Sequence, residues 1–296
     1  MSSIQNLPNK IDTALKLNAT KSYPRFIIDG VLDQTEYDLL LEEFPDSLLT
    51  DAESKGFANY NIRPEEALPQ NLPQAWQNFI LTLRSETVMR ELVKSCLPSA
   101  IKRYPILWRW LASIRLRNFD NYHINIAFSA NYSGRFLPPH NDNSYKVLAL
   151  VLYFAPADFT SSQDGTKFYT PRSKRVLREA LRRFNRLSNS RLTRHTPLVL
   201  QPMISAGIHN NALTSNDIKA SENWFYSNFD NDLNIEFQQN RIAGFIKTQS
   251  SFHAVDMRSS VLVGPRRSVL INLNLKHGIV ARIGQKLRVR FLKLSS

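Results

Sequence analysis

At Ile114 the spacing of apolar residues changes, and this change constrains the fold more than any other feature of the chain. Upstream, apolar residues recur at helical intervals. From Ile114-Arg-Leu-Arg through Tyr122-His-Ile-Asn-Ile-Ala-Phe they alternate, as strands with one buried face do. Val147–Phe154 and Arg241–Ile246 continue as strands, and Arg266–Leu275 is a long one after a Gly264-Pro265 turn. Asp164-Gly165 reads as another turn, with a short strand Thr166–Tyr169 behind it.

The upstream third reads as one short strand and two helices. Residues 1–22 are polar and irregular, a loosely ordered lead-in. Arg25–Ile28 is the strand. Asp33 caps a helix, with Glu36 three residues on, and Leu32, Tyr37, Leu40, Leu41 and Phe44 give it one apolar face. Pro45 stops it, and residues 46–70 read as loop. A second helix is expected from about Pro73 to Cys96, with Trp76, Phe79, Ile80, Leu83 and Val88 on its packed side and Pro98 beyond its end. The expected class is α+β, mainly β: residues 1–114 pack on a core formed by 115–296.

One segment interrupts the strand pattern. Residues 171–194 carry an apolar stripe (Val176, Leu177, Ala180, Leu181, Phe184, Leu187), with arginines on another face, and read as an inserted basic amphipathic helix. Residues 205–242 are rich in Asn, Ser and Asp and read as a surface loop or lid, so 171–240 is the expected insertion. Ten Lys/Arg against one acid fall in 167–194, and six against none in 276–296, where Leu287–Phe291 alternates as a charged edge strand. The net charge of +13 is therefore two basic patches on a nearly neutral body, which favours an anionic partner at a defined place. Nucleic acid is the less favoured form of that partner, because 171–194 has few aromatics for base stacking.

No apolar run approaches a membrane span, and the N-terminus lacks a secretory leader pattern. The single cysteine, Cys96, excludes an internal disulfide and a thiolate zinc site. A cytoplasmic location is the expectation.

The chemistry concentrates at Phe136–Phe154, a loop running into a strand. His140 and Asp142 stand two apart, so on extended backbone they share one side. Two His and one carboxylate, with positions left open, suit non-haem Fe(II). His253 lies 113 residues on, beside a strand, and Arg266 another 13 residues on. Strand alternation separates Arg266 from Arg267. Arg267 shares a face with Val269, Ile271, Leu273 and Leu275, which should pack under helices. Arg266 shares the other with Ser268, Leu270 and Asn272, which suits a carboxylate pocket. His123, His195, His209 and His277 show no ligand-like arrangement.

This order of residues resembles the Fe(II)/2-oxoglutarate-dependent dioxygenases, in their prolyl-4-hydroxylase-like branch. The matching stretches are Phe136–Tyr153 and Arg241–Leu275, with a weaker match at Tyr23–Pro45. The resemblance implies a double-stranded β-helix (jelly-roll) core with N-terminal helices. It implies His140, Asp142 and His253 as iron ligands, and Arg266, with Ser268 and Tyr153, on the distal carboxylate of 2-oxoglutarate. It implies O2 as oxidant, with ascorbate as an accessory reductant. The expected reaction hydroxylates a C–H bond of a peptide side chain or small metabolite, giving succinate and CO2. The stretch between Asp142 and His253 is longer than a compact core of this family needs, and the insertion beside the mouth of the site accounts for the excess. The alternatives are an oxidative demethylase or a binding protein for an anionic partner such as nucleic acid.

Overall fold

Arg266–Leu275 (β10) is the strand on which the larger sheet is assembled. It pairs along its whole length with Tyr122–Asn131 (β3) on one side and with Lys146–Phe154 (β5) on the other. The computed structural model describes residues 3–17, 23–50, 54, 56–102, 109–142, 145–187, 215–248 and 250–276. The other strands are β1 (Arg25–Asp29), β2 (Phe57–Ile62), β4 (Phe136–His140), β6 (Thr160–Pro171), β7 (Phe229–Gln238), β8 (Arg241–Ile246) and β9 (Phe252–Asp256). They form two antiparallel sheets, ordered β1-β8-β5-β10-β3-β2 and β4-β9-β6-β7. Among the described residues no helix is long and apolar enough to cross a membrane.

Strand alternation sorts side chains into layers. On β10, Val269, Ile271, Leu273 and Leu275 join Leu148, Leu150, Leu152 and Phe154 of β5 in a core shared with N-terminal helices. These helices are α1 (Leu7–Leu17), α2 (Gln34–Glu42), α3 (Gln74–Arg84) and α4 (Glu86–Lys102), followed by α5 (Arg109–Arg117). Trp76 of α3 is the hub. It is fully buried, its ring lies 4.8 Å from that of Phe128, and its indole N–H donates to the Leu40 carbonyl at 3.1 Å. On the opposite face, Ala149, Tyr153, Ala243 and Phe245 meet Phe168, Ile235, Phe237 and Val255 of the four-stranded sheet. Outside that sheet, α6 (Lys174–Leu187) and α7 (Ser215–Asn228) pack Ala180 and Phe225 on Tyr169, Phe229, Phe252 and Ala254. The result is four layers: helices, six strands, four strands, helices.

Several sequence expectations are corrected. The lead-in is ordered over residues 3–17: Ser3–Asn6 is a 3-10 turn, and α1 buries Leu7, Ile11, Ala14 and Leu15 at helical spacing despite its polar composition. The loop 46–70 contains β2, an edge strand with exposed Asn59 and Asn61 whose helix-facing side is Ala58, Tyr60 and Ile62. The helix expected over 73–96 is two. Ser85 takes an extended conformation, and its hydroxyl accepts from the Val88 N–H. The second helix runs on through Pro98 to Lys102. Ile114-Arg-Leu-Arg is helical within α5, where Leu116 is buried and its carbonyl accepts from the Tyr122 hydroxyl at 2.7 Å. Four residues of alternation are too few to fix a strand.

The turn expected at Asp164-Gly165 is an irregularity inside β6, where the register with β7 shifts between Ser161 and Thr166. A Cβ on Gly165 would fall 1.6 Å from the Ile235 carbonyl oxygen, so glycine here permits close backbone approach rather than chain reversal. The loop expected over 205–242 contains α7 and β7, both held by aromatic contacts that only the tertiary structure supplies. Of the described parts of the insertion, α6 and α7 pack on the outer face of the four-stranded sheet, while β7 is one of its strands and puts Ile235 and Phe237 into the inter-sheet core. The edge strand expected at 287–291, and His195, His209 and His277, lie outside the described residues.

Candidate metal centre

The centre forms where β4 and β9 pair. Read from sequence as loop, Phe136–His140 is a strand whose Pro138-Pro139 has no N–H to give. The register slips between Leu137 and His140, and His140 then stands directly opposite His253. Their rings lie 4.2 Å apart between centroids. Asp142 joins them from just beyond β4: its Oδ1 is 3.9 Å from His140 Nε2, and its Oδ2 is 3.8 Å from His253 Nε2. One ligand atom from each of the three falls within 4.8 Å of the others, the one such grouping of His, Cys, Asp or Glu among the described residues. His123, opposite Asn274 on β3, is not part of it.

Protonation states suit a cation. Burial lowers the His253 pKa to about 3, and the adjacent His140 adds to this against the pull of Asp142. The ring is therefore neutral. Its Nδ1 lies 3.2 Å from the Ser251 carbonyl, which only accepts, so Nδ1 carries the proton and Nε2 keeps its lone pair for a ligand. Burial pushes the Asp142 carboxyl up. The Lys146 ammonium, 3.0 Å from Oδ2, outweighs this, with His253 and His140 adding to it only at the low pH where they are protonated, and the group stays ionised well below the usual carboxylate range.

A buried polar network ties the two ligand segments together. Asn141, between His140 and Asp142, is fully buried. Its Oδ1 accepts from the Lys247 ammonium and, at 3.2 Å, from the Ser251 hydroxyl. Lys247 is 2% exposed and also donates to the Thr248 carbonyl at 2.6 Å; Ser251 precedes His253 by two residues. Sequence reading missed Asn141, Lys146 and Lys247. The signal for Asn141 was its position inside the His-x-Asp pair. Nothing local marks Lys247.

The triad opens on a cavity of about 130 Å³ between the sheets, walled by Phe168, Phe245 and Val255 and reached by Arg266, Ser268 and Thr166. Arg266 is buried. Its Nε donates to the Asp164 carbonyl and its Nη1 to the Ser268 hydroxyl at 3.4 Å, while its Nη2 is buried with no partner. Tyr153, also buried, faces the guanidinium at 5.0 Å and shares a 2.6 Å hydrogen bond with Thr166. Arg267 points to the outer face and pairs with Asp46 at 2.6 Å. The arrangement thus combines a face of three metal-type donors with a buried cation lacking part of its hydrogen bonding.

No family model and no curated sequence matches the chain. Solved structures similar to it include a Pseudomonas putida prolyl-4-hydroxylase, 9% identical over 90% of this chain and 99% of that one, with a TM-score of 0.44. HygX from Streptomyces hygroscopicus, solved with nickel, 2-oxoglutarate and hygromycin B bound, is 10% identical over 89% of this chain and 86% of that one, also with a TM-score of 0.44. A Trichoplax adhaerens prolyl hydroxylase, solved with a hypoxia inducible factor peptide fragment, is 12% identical over 92% and 90%, with a TM-score of 0.37.

Proposed function

We propose that this chain is an Fe(II)- and 2-oxoglutarate-dependent dioxygenase on a double-stranded β-helix core, hydroxylating a C–H bond of its substrate with release of succinate and CO2. The observation that carries the reading is one cavity holding both a two-His, one-carboxylate face and the unpartnered Nη2 of buried Arg266. A divalent ion fits the first, since His253 is neutral and Asp142 ionised. A carboxylate fits the second, because a guanidinium holds one through parallel N–H donors and buried charge demands a partner.

The ferrous ion and the keto acid, when bound, supply oxygen activation and C–H oxidation. The chain supplies the rest. His140, Asp142 and His253 hold the ion, with Ser251 fixing the His253 tautomer. Arg266 and Ser268 receive the distal carboxylate, and we assign Tyr153 and Thr166 to the same pocket. Phe168, Phe245 and Val255 keep water out.

The test is anaerobic addition of Fe(II) and 2-oxoglutarate to the purified chain, reading the visible charge-transfer band of a chelated keto acid. The expected result is a band that His140→Ala abolishes. Absence of the band in folded, metal-loaded protein overturns the reading.

A further inference from the structure

The inner face of the three strands at one side of the larger sheet is tiled with carboxamides. Alternation puts Asn59 and Asn61 of β2, Asn125 and Asn131 of β3, and Asn272 and Asn274 of β10 on this one face. Their neighbours Ala58, Tyr60, Ile124, Ile126, Ile271 and Leu273 all point to the helices. No residue of the inter-sheet apolar core comes from β2 or β3. Asn59 and Asn61 are exposed, Asn125 is half-buried and Asn272 is buried. Asn59, Asn131 and Asn272 line the same cavity as the triad.

An isolated solvated strand face carries Lys, Glu and Thr as readily as Asn. Here β2 and β3 present no formal charge: Phe57 on β2, and Ala127 and Ser129 on β3, complete the face with His123 at its end. Of the cations nearby, Lys146 is taken by Asp142, and the Arg135 guanidinium lies flat on the Phe57 ring at 3.7 Å. Asn131 donates to Ser129 at 3.0 Å. The side chains of Asn59, Asn61, Asn125 and Asn272 have no hydrogen-bond partner among the described residues.

From this face we infer the substrate class: a neutral, polyhydroxylated molecule, a sugar or glycoside, held by the carboxamides of β2, β3 and β10 beside the triad. Each carboxamide offers a donor and an acceptor side by side, as each ring hydroxyl of a sugar does. Asn125 and Asn272 stand opposite one another on adjacent strands, about 4.8 Å apart, while Asn59 with Asn61 and Asn272 with Asn274 are alternate residues about 6.8 Å apart on their strands. Such a two-dimensional grid matches hydroxyls radiating from a ring, whereas an extended peptide presents its groups along a line. The one cation on the face, Arg266 at its β10 end, is the group the proposed function gives to 2-oxoglutarate, so the carboxamide area of β2 and β3 offers an anion no charge of its own.

The inference rests on the oxygenase reading for the reaction but not for the binding, so its test omits iron and 2-oxoglutarate. Full-length protein with 15N-labelled side-chain amides is titrated with maltose, cellobiose, N,N′-diacetylchitobiose and myo-inositol at high millimolar concentration. Glucuronate and a neutral Gly-Pro peptide are titrated in parallel. Saturable shifts of the Asn59, Asn61, Asn125 and Asn272 NH2 signals with a saccharide are expected. The exposed pair Asn59→Ala/Asn61→Ala should weaken binding by about tenfold, two hydrogen bonds being lost, and Asn78→Ala on α3 should not. Asn272→Leu repeats the test from within the cavity. Shifts with glucuronate or the peptide alone, or with none of the probes, overturn the inference. Saccharide binding in a chain that forms no charge-transfer band would instead overturn the oxygenase reading and leave this one standing.

Discussion

His140 and His253 are register partners across β4 and β9, their rings 4.2 Å apart although 113 residues separate them in sequence. With Asp142 they place three metal-type donors in a small, largely buried volume. A divalent ion bound there stabilises only the folded chain. At a hundredfold excess over its dissociation constant it should add about 2.7 kcal/mol, which is a rise of roughly 5 °C or more in melting temperature. His253→Ala should melt at a temperature independent of Fe(II) or Co(II). Scanning calorimetry with and without metal decides, and an equal metal-induced rise in both proteins would remove His253 from the ligand set.

Arg266 and Arg267 are adjacent in sequence and opposite in environment. Arg267 pairs with exposed Asp46 on the helix side, so Arg267→Ala should cost no more than about 1 kcal/mol and leave 2-oxoglutarate binding unchanged. Arg266→Met removes the buried guanidinium that meets Asp164, Ser268 and the cavity. Losing a charge-assisted bidentate contact of roughly 3 kcal/mol, it should raise the 2-oxoglutarate concentration for half-saturation about 100-fold. Titration of the charge-transfer band in each variant measures this. Equal half-saturation in both would sink the assignment of Arg266.

Gly165→Ala tests a different constraint, the backbone approach of β6 to β7. With the Ile235 carbonyl oxygen 1.6 Å from an added Cβ, the ladder has to move. The expected loss is roughly 3 kcal/mol or more, read as a fall in denaturation midpoint. A midpoint within error of the parent would show that β6 adapts without cost.

How legible these features were in the sequence follows from the range of the forces behind them. The long strands β3, β5 and β10 were legible because each has a face buried under helices, marked by alternation in the ten residues of β3 and β10 and by an apolar run in the nine of β5. The orientation of Arg266 followed from the same alternation. β2 was not, because its alternation, Ala-Asn-Tyr-Asn-Ile, is short and sits among the turn-forming Gly56, Pro64 and Pro69. α7 was not, because Trp224 and Phe225 become core residues only when Phe229 and Phe252 arrive from elsewhere. Among site residues, His140, Asp142 and His253 could be named from residue type and order. Lys247 could not: a lysine at the end of a strand reads as exposed, and only the fold carries it beneath Asn141.

Lys247 and Asn141 should therefore act as positioning residues. Asn141→Ala removes the acceptor shared by Lys247 and Ser251, releasing the segment before His253 from the segment holding His140 and Asp142. Metal affinity should fall between about 10- and 100-fold, the usual effect of groups that orient ligands, while the half-saturation for 2-oxoglutarate in the metal-loaded protein stays near the parent value. Competition against a fluorescent chelator gives the first quantity and the charge-transfer titration the second. A purely structural role would lower stability and leave metal affinity intact. Asn141→Asp, which keeps an acceptor, should recover much of the affinity.

Lys146 sits 3.0 Å from Asp142 Oδ2, where its charge opposes any cation the carboxylate accepts. It helps hold Asp142 ionised in the absence of metal, but a divalent cation bound to the carboxylate takes over that role, so the group stays charged in the metal complex without it. Replacing it should then relieve repulsion more than it harms ligand chemistry. Lys146→Gln is expected to bind Fe(II) roughly tenfold more tightly, with the difference shrinking as salt rises, because the site opens to solvent through its cavity. Equilibrium dialysis at low and high ionic strength tests both points. Weaker binding in Lys146→Gln would mean that the ammonium orients Asp142 more than it repels the ion.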